Sequence, residues 1–203
     1  VRARQTGSIR IRGALLLDLN SHCAGGVYLG ASDAVTIHLP KALPAQFTVI
    51  LAVKLVHPIP GDAQVRHLWS AGTSSNLYRM YVSTVTPDRF RVFMSKTLDG
   101  VIKDAIPANS GPIVNVGECA IVAGRVDNGN LKTMALNANT RQLLQGSTAT
   151  EGVIPGIHTL TLGQYVLPGY GWNNVLGEFQ LFYRALDDME LVARMYQTAN
   201  YVR

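Results

Sequence analysis

Two groups of aromatic and polar residues in this sequence could bind a sugar. The first group, Tyr165, Tyr170 and Trp172 with Asn173 and Asn174, lies in a segment rich in glycine, proline and asparagine. Such a segment predicts a loop, where a flat ring can cover the C–H face of a sugar while amides bond its hydroxyl groups. The alternative is that Trp172 folds back and covers the open end of the β-structure.

The second group is Arg79 and Tyr81, which alternate with Tyr78 and Met80. In a β-strand, residues two apart lie on the same face, so Arg79 and Tyr81 should share one surface of a sheet. That surface could bind a ligand, or it could be an ordinary solvated face. Trp69, in an apolar segment, is instead expected in the core.

Common catalytic and metal-binding patterns are missing from the sequence. It has no Gly-x-Ser-x-Gly, His-Glu-x-x-His or Gly-x-x-x-x-Gly-Lys motif. Its five histidines are scattered along the chain, which does not favour a metal site. Asp127-Asn128-Gly129-Asn130 offers one carboxylate, whereas calcium takes about six to eight oxygen ligands. The Asn-Gly pair instead predicts a hairpin turn.

Most of the chain shows the period-two alternation of short β-strands. The longest such segment, residues 46–56, is apolar on nearly both faces, which predicts a strand in the centre of a sheet. Further strands are predicted within 8–19 and at 34–39, 65–71, 77–84, 89–95, 119–126, 131–137, 159–163 and 177–183. Because strands do not alternate with helices, the pattern favours an antiparallel sandwich or barrel.

One helix is predicted directly after the strand at 177–183. Asp187 is a good N-cap residue, and Glu190 stands three residues later, as in a capping box. Leu186 before the cap and Leu191 after it are spaced for a hydrophobic staple.

The closing strand and helix, residues 177–196, resemble those of the concanavalin A-like lectin/glucanase superfamily, particularly its laminin G-like and pentraxin-like members. Less specific matches precede them in the family's order: the strand that begins Gln46-Phe47-Thr48-Val49, the turn at 127–129 and the strand at 160–163. The resemblance implies an all-β jelly-roll sandwich of two curved antiparallel sheets with a concave face. Residues 13–203 would form it as a single domain.

What the resemblance implies about activity depends on acidic residues. Glycosidases of this superfamily carry a Glu-x-Asp-x-x-Glu strand, and retaining enzymes hold their two carboxylates about 5–5.5 Å apart. This sequence does not contain that pattern, and the calcium-binding acids of pentraxin-like members have no clear counterparts. We therefore expect no enzymatic activity, no cofactor and no metal, and the acidic residues do not support the use of calcium.

The net charge of +5 comes largely from one end of the chain. Arg2, Arg4, Arg10 and Arg12 precede the first acidic residue, and without them 14 basic and 13 acidic residues remain. Residues 1–12 are predicted to be a basic arm, either frayed or docked on a partner, which could support homo-oligomers or a larger assembly. Nucleic acid is not favoured, because no basic patch interleaved with aromatic residues follows.

The remaining sequence signals concern the compartment. No apolar run approaches the roughly 20 residues that span a bilayer, and no secretory signal pattern opens the sequence. Cys119 lies in an apolar run and is interpreted as a small buried residue. The two cysteines, Cys23 and Cys119, could form a single disulfide, which the sequence does not predict.

These observations together predict a non-catalytic, lectin-like recognition module that binds a glycan or a protein surface, as in adhesion or attachment. The alternative is a structural component of a virion, a phage tail or another surface assembly. In either case we expect an extracellular or virion-surface location.

Overall fold

The computed structural model describes residues 8–11, 27–30, 33–57, 65–86, 89–105, 114–164, 171–172 and 174–201. These residues form two antiparallel sheets of seven strands each and one helix. The predicted all-β jelly-roll sandwich is therefore confirmed. No helix in the described part of the chain is both long and apolar enough to cross a lipid bilayer.

The first sheet, sheet A, contains β1, β14, β4, β10, β11 and β12 in that order, and β2 also pairs with β14. Its strands are β1 (Ser8–Ile11), β2 (Val27–Leu29), β4 (Gln46–Lys54), β10 (Cys119–Asp127), β11 (Asn130–Asn137), β12 (Leu143–Thr148) and β14 (Asn174–Phe182).

The second sheet, sheet B, has the order β3, β13, β5, β6, β7 and β8, and β9 also pairs with β7. Its strands are β3 (Val35–His38), β5 (Arg66–Gly72), β6 (Leu77–Thr86), β7 (Arg89–Leu98), β8 (Val101–Ala105), β9 (Val114–Asn115) and β13 (Thr159–Leu162).

Strand β4 lies in the middle of sheet A, between β14 and β10, as its apolar sequence predicted. Every residue of β4 after Gln46 is buried. Val49, Leu51 and Val53 face sheet B in the main core, whereas Ile50 and Ala52 belong to a second apolar cluster on the outer side of sheet A. Burial on both faces explains why this strand shows no polar alternation.

The helix α1 (Asp188–Tyr201) covers that second cluster. Its start agrees with the sequence, because the Asp187 carboxylate accepts a hydrogen bond from the Glu190 backbone N–H at 2.8 Å. Leu186 and Leu191 are both buried in the cluster, which confirms the staple. The Glu190 carboxylate binds Arg184 at 2.5 Å, so it does not complete the predicted capping box.

Two tight turns connect neighbouring antiparallel strands. Asn128 and Gly129 have φ values of 49° and 94° and join β10 to β11, which confirms the predicted Asn-Gly hairpin. Asp99 and Gly100 (φ 50° and 79°) make a second turn of this kind between β7 and β8, in a region for which no strand was predicted.

The structure adds detail on Cys119 and on the N-terminal segment, where a strand was predicted within residues 8–19. Cys119 is buried and disulfide-bonded, so it is not simply a small apolar residue. The other cysteine in the sequence, Cys23, lies outside the described residues. Residues 8–11 of the predicted basic arm form β1, which pairs with β14, and the rest of the arm also lies outside the described residues.

Candidate functional site

The two faces of strand β6 carry different side chains. Tyr78, Met80 and Val82 pack in the core between the sheets. Arg79 and Tyr81 alternate with them and therefore lie on the outer face of sheet B. The structure thus brings the two predicted strand residues together on one surface.

A bulge in β5 adds two more side chains to this outer face. The register between β5 and β6 shifts between His67 and Trp69, so Leu68 and Trp69 both pack in the core. His67 then pairs with Tyr81, and Ser70 pairs with Arg79. The core position of Trp69 confirms the expectation from the sequence.

Neighbouring strands complete the surface. On β7, Phe93 lies opposite Tyr81 and Ser95 lies opposite Arg79. On β8, Asp104 lies opposite Ser95. We call this set the outer cluster; it comprises His67, Ser70, Arg79, Tyr81, Phe93, Ser95 and Asp104.

Tyr81 and Arg79 are held in fixed positions by their neighbours. The Tyr81 ring stacks on Phe93, with centroids 4.9 Å apart and planes 1° from parallel. The Arg79 guanidinium carbon lies 5.1 Å from the Tyr81 ring centroid, within cation–π range. Arg79 Nε also donates to Ser95 Oγ at 3.3 Å. A guanidinium fixed in this way keeps donors in one plane, which suits a carboxylate or a pair of hydroxyl groups.

The surroundings of Tyr81 shift the pKa of its phenol upward. Burial raises the pKa of Tyr81, and the Asp104 carboxylate raises it further, while Arg79 opposes the shift. The phenol therefore remains a hydrogen-bonding hydroxyl throughout the physiological pH range. Arg79 and Phe93 are partly exposed, whereas the cluster members His67, Ser70, Tyr81 and Ser95 are buried.

The predicted loop group is placed differently. Trp172 is fully buried, its ring meets Phe90 edge-on at 5.8 Å, and its indole N–H donates to the Val175 carbonyl at 3.0 Å. This is the alternative position considered from the sequence. The indole packs in the core between the sheets, where it cannot contact a sugar.

Asn174 also has a structural position. Its side-chain oxygen accepts hydrogen bonds from the backbone N–H groups of Val56 and His57 at 2.7 and 2.9 Å, and the residue is buried. It therefore anchors the end of β4 to β14. Tyr165, Tyr170 and Asn173 lie outside the described residues.

Sequence reasoning missed five members of the outer cluster: His67, Ser70, Phe93, Ser95 and Asp104. Phe93 lies between Val92 and Met94, which are both core residues. Strand alternation therefore indicated that Phe93 lies on the outer face. Nothing in the sequence indicated the bulge that turns His67 outward.

Three of the four glutamates have local structural contacts; Glu178 Oε1 accepts a hydrogen bond from the Gln180 amide at 3.0 Å. Glu118 Oε2 accepts hydrogen bonds from the backbone and side chain of Asn115 and from the Asn137 amide, all at 2.9 Å. Glu190 is held by Arg184. Among the described residues, no group of three or more His, Cys, Asp or Glu side chains is arranged to hold a metal ion.

Comparisons with known proteins add the following findings. No family model matches the chain, and no curated protein matches its sequence. The CBM40 domain of the Ruminococcus gnavus IT-sialidase, solved with α2,3-sialyllactose bound, is 20% identical with a TM-score of 0.59; the match covers 84% of this chain and 95% of that chain.

Two further solved structures match at similar TM-scores. The tailspike protein 2 enzymatically active domain of bacteriophage CBA120 is 15% identical with a TM-score of 0.63, over 87% of this chain and 30% of that chain. The SAP-like pentraxin of Limulus polyphemus is 14% identical with a TM-score of 0.55, over 87% of this chain and 80% of that chain. The chain therefore shares the jelly-roll sandwich fold of the CBM40 and pentraxin structures.

Proposed function

We propose that this chain is a non-catalytic recognition module that binds a glycan at the outer cluster of sheet B. The observation that carries the proposal is the fixed stack of Arg79, Tyr81 and Phe93 on the outer face of sheet B, where Arg79 and Phe93 are partly exposed. The partly exposed Phe93 ring offers apolar area to a sugar, and the Arg79 guanidinium offers directed donors. In this proposal the domain is of the laminin G-like or pentraxin-like kind.

The similarity to the CBM40 domain supports a glycan as the ligand, since that structure holds α2,3-sialyllactose. Sialyllactose carries a carboxylate as well as hydroxyl groups, and a guanidinium binds carboxylates with two parallel hydrogen bonds. It is therefore the first glycan to test. Fold similarity alone does not establish a ligand, so the test must address the side chains themselves.

The proposed absence of catalysis is supported by the positions of the acidic residues. Glycoside hydrolysis needs two carboxylates that face each other across the scissile bond. Glu118 and Glu190 are each committed to separate structural contacts, and Asp104 is the one carboxylate of the outer cluster. We expect no release of sialic acid or lactose on prolonged incubation with sialyllactose.

Calorimetric titration with α2,3-sialyllactose and with lactose tests the proposal, with and without added calcium. We expect the wild-type chain to bind. Arg79→Ala should bind about tenfold more weakly, because it loses roughly one hydrogen bond from a charged group to the ligand. Arg194→Ala is the matched control, because Arg194 is a partly exposed arginine on α1 and is not in the outer cluster. A glycan array that shows no binding to any sugar would contradict the proposal.

A second candidate function is a building block of a phage tail or another surface assembly. The similarity to the tailspike protein favours it, as does the pairing of β1, from the basic arm, with the edge of sheet A. Light scattering after size exclusion would then show a defined oligomer that is lost when residues 1–11 are deleted. A strictly monomeric chain at high concentration would count against this candidate.

We further propose an extracellular or virion-surface location for either function. The disulfide at Cys119 supports it, because disulfides persist mainly in oxidising compartments.

A further inference from the structure

A cleft of about 700 Å³ opens between the edges of the two sheets, on the inner side of sheet B. The edge strands β8 of sheet B and β12 of sheet A contact each other there. Residues from β7 and β8 form one wall, and Asn130 with residues 149–151 form the other. The cleft is separate from the outer cluster, because the outer cluster lies on the opposite face of the same sheet.

Lys96 lines this cleft, and no carboxylate among the described residues forms an ion pair with it. It follows Phe90, Val92 and Met94 on the core side of β7, and 1% of its surface is exposed. Its Nζ donates to the backbone carbonyls of Glu151 and Gly152 at 2.5 and 2.8 Å. An ammonium has three donors and gains most from an anion, and Lys96 forms no ion pair within the described part of the chain.

A second lysine faces the first across the two strands. Lys103 of β8 is the direct cross-strand partner of Lys96, lines the same cleft and is exposed. Like charges in directly opposite positions destabilise an antiparallel pair. An anion in the cleft would remove this repulsion and supply the counter-charge that Lys96 lacks.

The rest of the lining indicates more than a bare anion. Leu98 and Val101, also a cross-strand pair, give the cleft an apolar wall, and 58% of Val101 is exposed. Asp99 and Glu151 stand at the exposed rim. Carboxylates repel a simple anion but accept hydrogen bonds from hydroxyl groups, and an apolar wall suits the C–H face of a sugar ring.

We propose that this cleft binds an acidic sugar residue, with the sugar carboxylate at Lys96 and Lys103 and its ring against Leu98 and Val101. The hydroxyl groups of the sugar would meet the carboxylates of Asp99 and Glu151. The inference rests on the proposed function, since it assigns the charge of the glycan and adds a second subsite to the module.

NMR titration of the full chain with D-glucuronate tests the cleft directly. Methyl β-D-glucoside and acetate serve as neutral and non-sugar controls. We expect glucuronate to shift the side-chain resonances of Lys96 and Lys103, and both controls to bind at least several-fold more weakly. Lys103→Gln should weaken glucuronate binding by about fivefold, the upper range for an exposed ion pair. Lys41→Gln is the matched control, since it removes one exposed lysine charge beside Tyr183.

Several results would overturn the inference. Equal binding of acetate would show that no sugar is recognised, and equal binding of the glucoside would show that the carboxylate is irrelevant. Unchanged affinity in Lys103→Gln would remove the cleft from the interaction. Failure here is distinguishable from failure of the outer cluster: Arg79→Ala should weaken sialyllactose binding while the glucuronate shifts at Lys96 and Lys103 persist.

Discussion

Two ionisable residues, Lys96 and Tyr81, lie on opposite faces of sheet B, and burial shifts both pKa values toward the neutral form. The pKa of Lys96 is lowered and that of Tyr81 is raised, in each case chiefly by burial. An apolar side chain at either position would fill the same space without losing hydration. Both residues line surfaces that we propose to be binding sites.

The lowered pKa of Lys96 gives a prediction about stability at alkaline pH. In the unfolded chain a lysine holds its proton up to its ordinary pKa of 10.5, whereas folded Lys96 releases it at lower pH. The folded state then binds fewer protons, so Lys96 makes stability rise with pH across the interval below 10.5. Urea unfolding of the wild type and Lys96→Met should therefore show a stability difference that shifts in favour of the wild type as the pH is raised from neutral.

The cross-strand partners of Lys96 are Tyr78 and Lys103. Burial raises the pKa of the Tyr78 phenol, which moves its titration away from the interval below 10.5. At neutral pH we expect Lys96→Met to cost about 1–3 kcal/mol, because the hydrogen bonds from a charged donor to the carbonyl groups of Glu151 and Gly152 are lost. Parallel stability curves for the two proteins would contradict the predicted titration of Lys96.

Among the structural elements, α1 depends on a single capping residue. The Asp187 carboxylate satisfies the Glu190 N–H, and Leu191 N–H donates to the Asp187 carbonyl. Asp187→Ala should lower the free energy of unfolding by about 1 kcal/mol, as for other N-cap losses. Asp187→Asn is the control, since it keeps an acceptor oxygen and should be nearly neutral. Equal losses in the two variants, measured by urea unfolding, would show that the charge matters and the cap does not.

The elements that could be predicted from the sequence are those with local signals. Strand β4 shows a long apolar run, the β10–β11 turn contains Asn-Gly, and α1 has its cap and staple within six residues. Strands β8 and β12 were not predicted. They are edge strands that are largely exposed or half-exposed, so their side chains show little apolar periodicity.

The candidate sites were harder to predict from the sequence than the strands and the helix. Alternation placed Arg79 and Tyr81 on one face, but their contacts with Phe93, Asp104 and His67 depend on cross-strand register and on a bulge. Register is set by packing over the whole sandwich and is not visible in a single strand. From the sequence, Trp172 could either contact a sugar from a loop or fold back over the β-structure, and it packs into the core. Its loop-like sequence surroundings did not distinguish the two positions.

At the level of the whole molecule, Cys119, which belongs to the apolar cluster beneath α1, is disulfide-bonded. We predict that its partner is Cys23, the other cysteine of the sequence. Peptide mapping without reductant should recover the two cysteines in one linked peptide from monomeric protein. We expect reduction to cost about 2–5 kcal/mol of stability, as for other native disulfides. A covalent dimer on non-reducing gels would contradict the assignment.

The central position of β4 also has a consequence for biosynthesis. Both of its sheet neighbours, β10 and β14, are made much later than β4 itself. A nascent chain that has emerged only as far as β13 has a hydrophobic strand with one edge still unpaired, and such edges attract other chains. We therefore expect productive folding to be late, slow compared with helical proteins of this length, and sensitive to the supply of chaperones during translation.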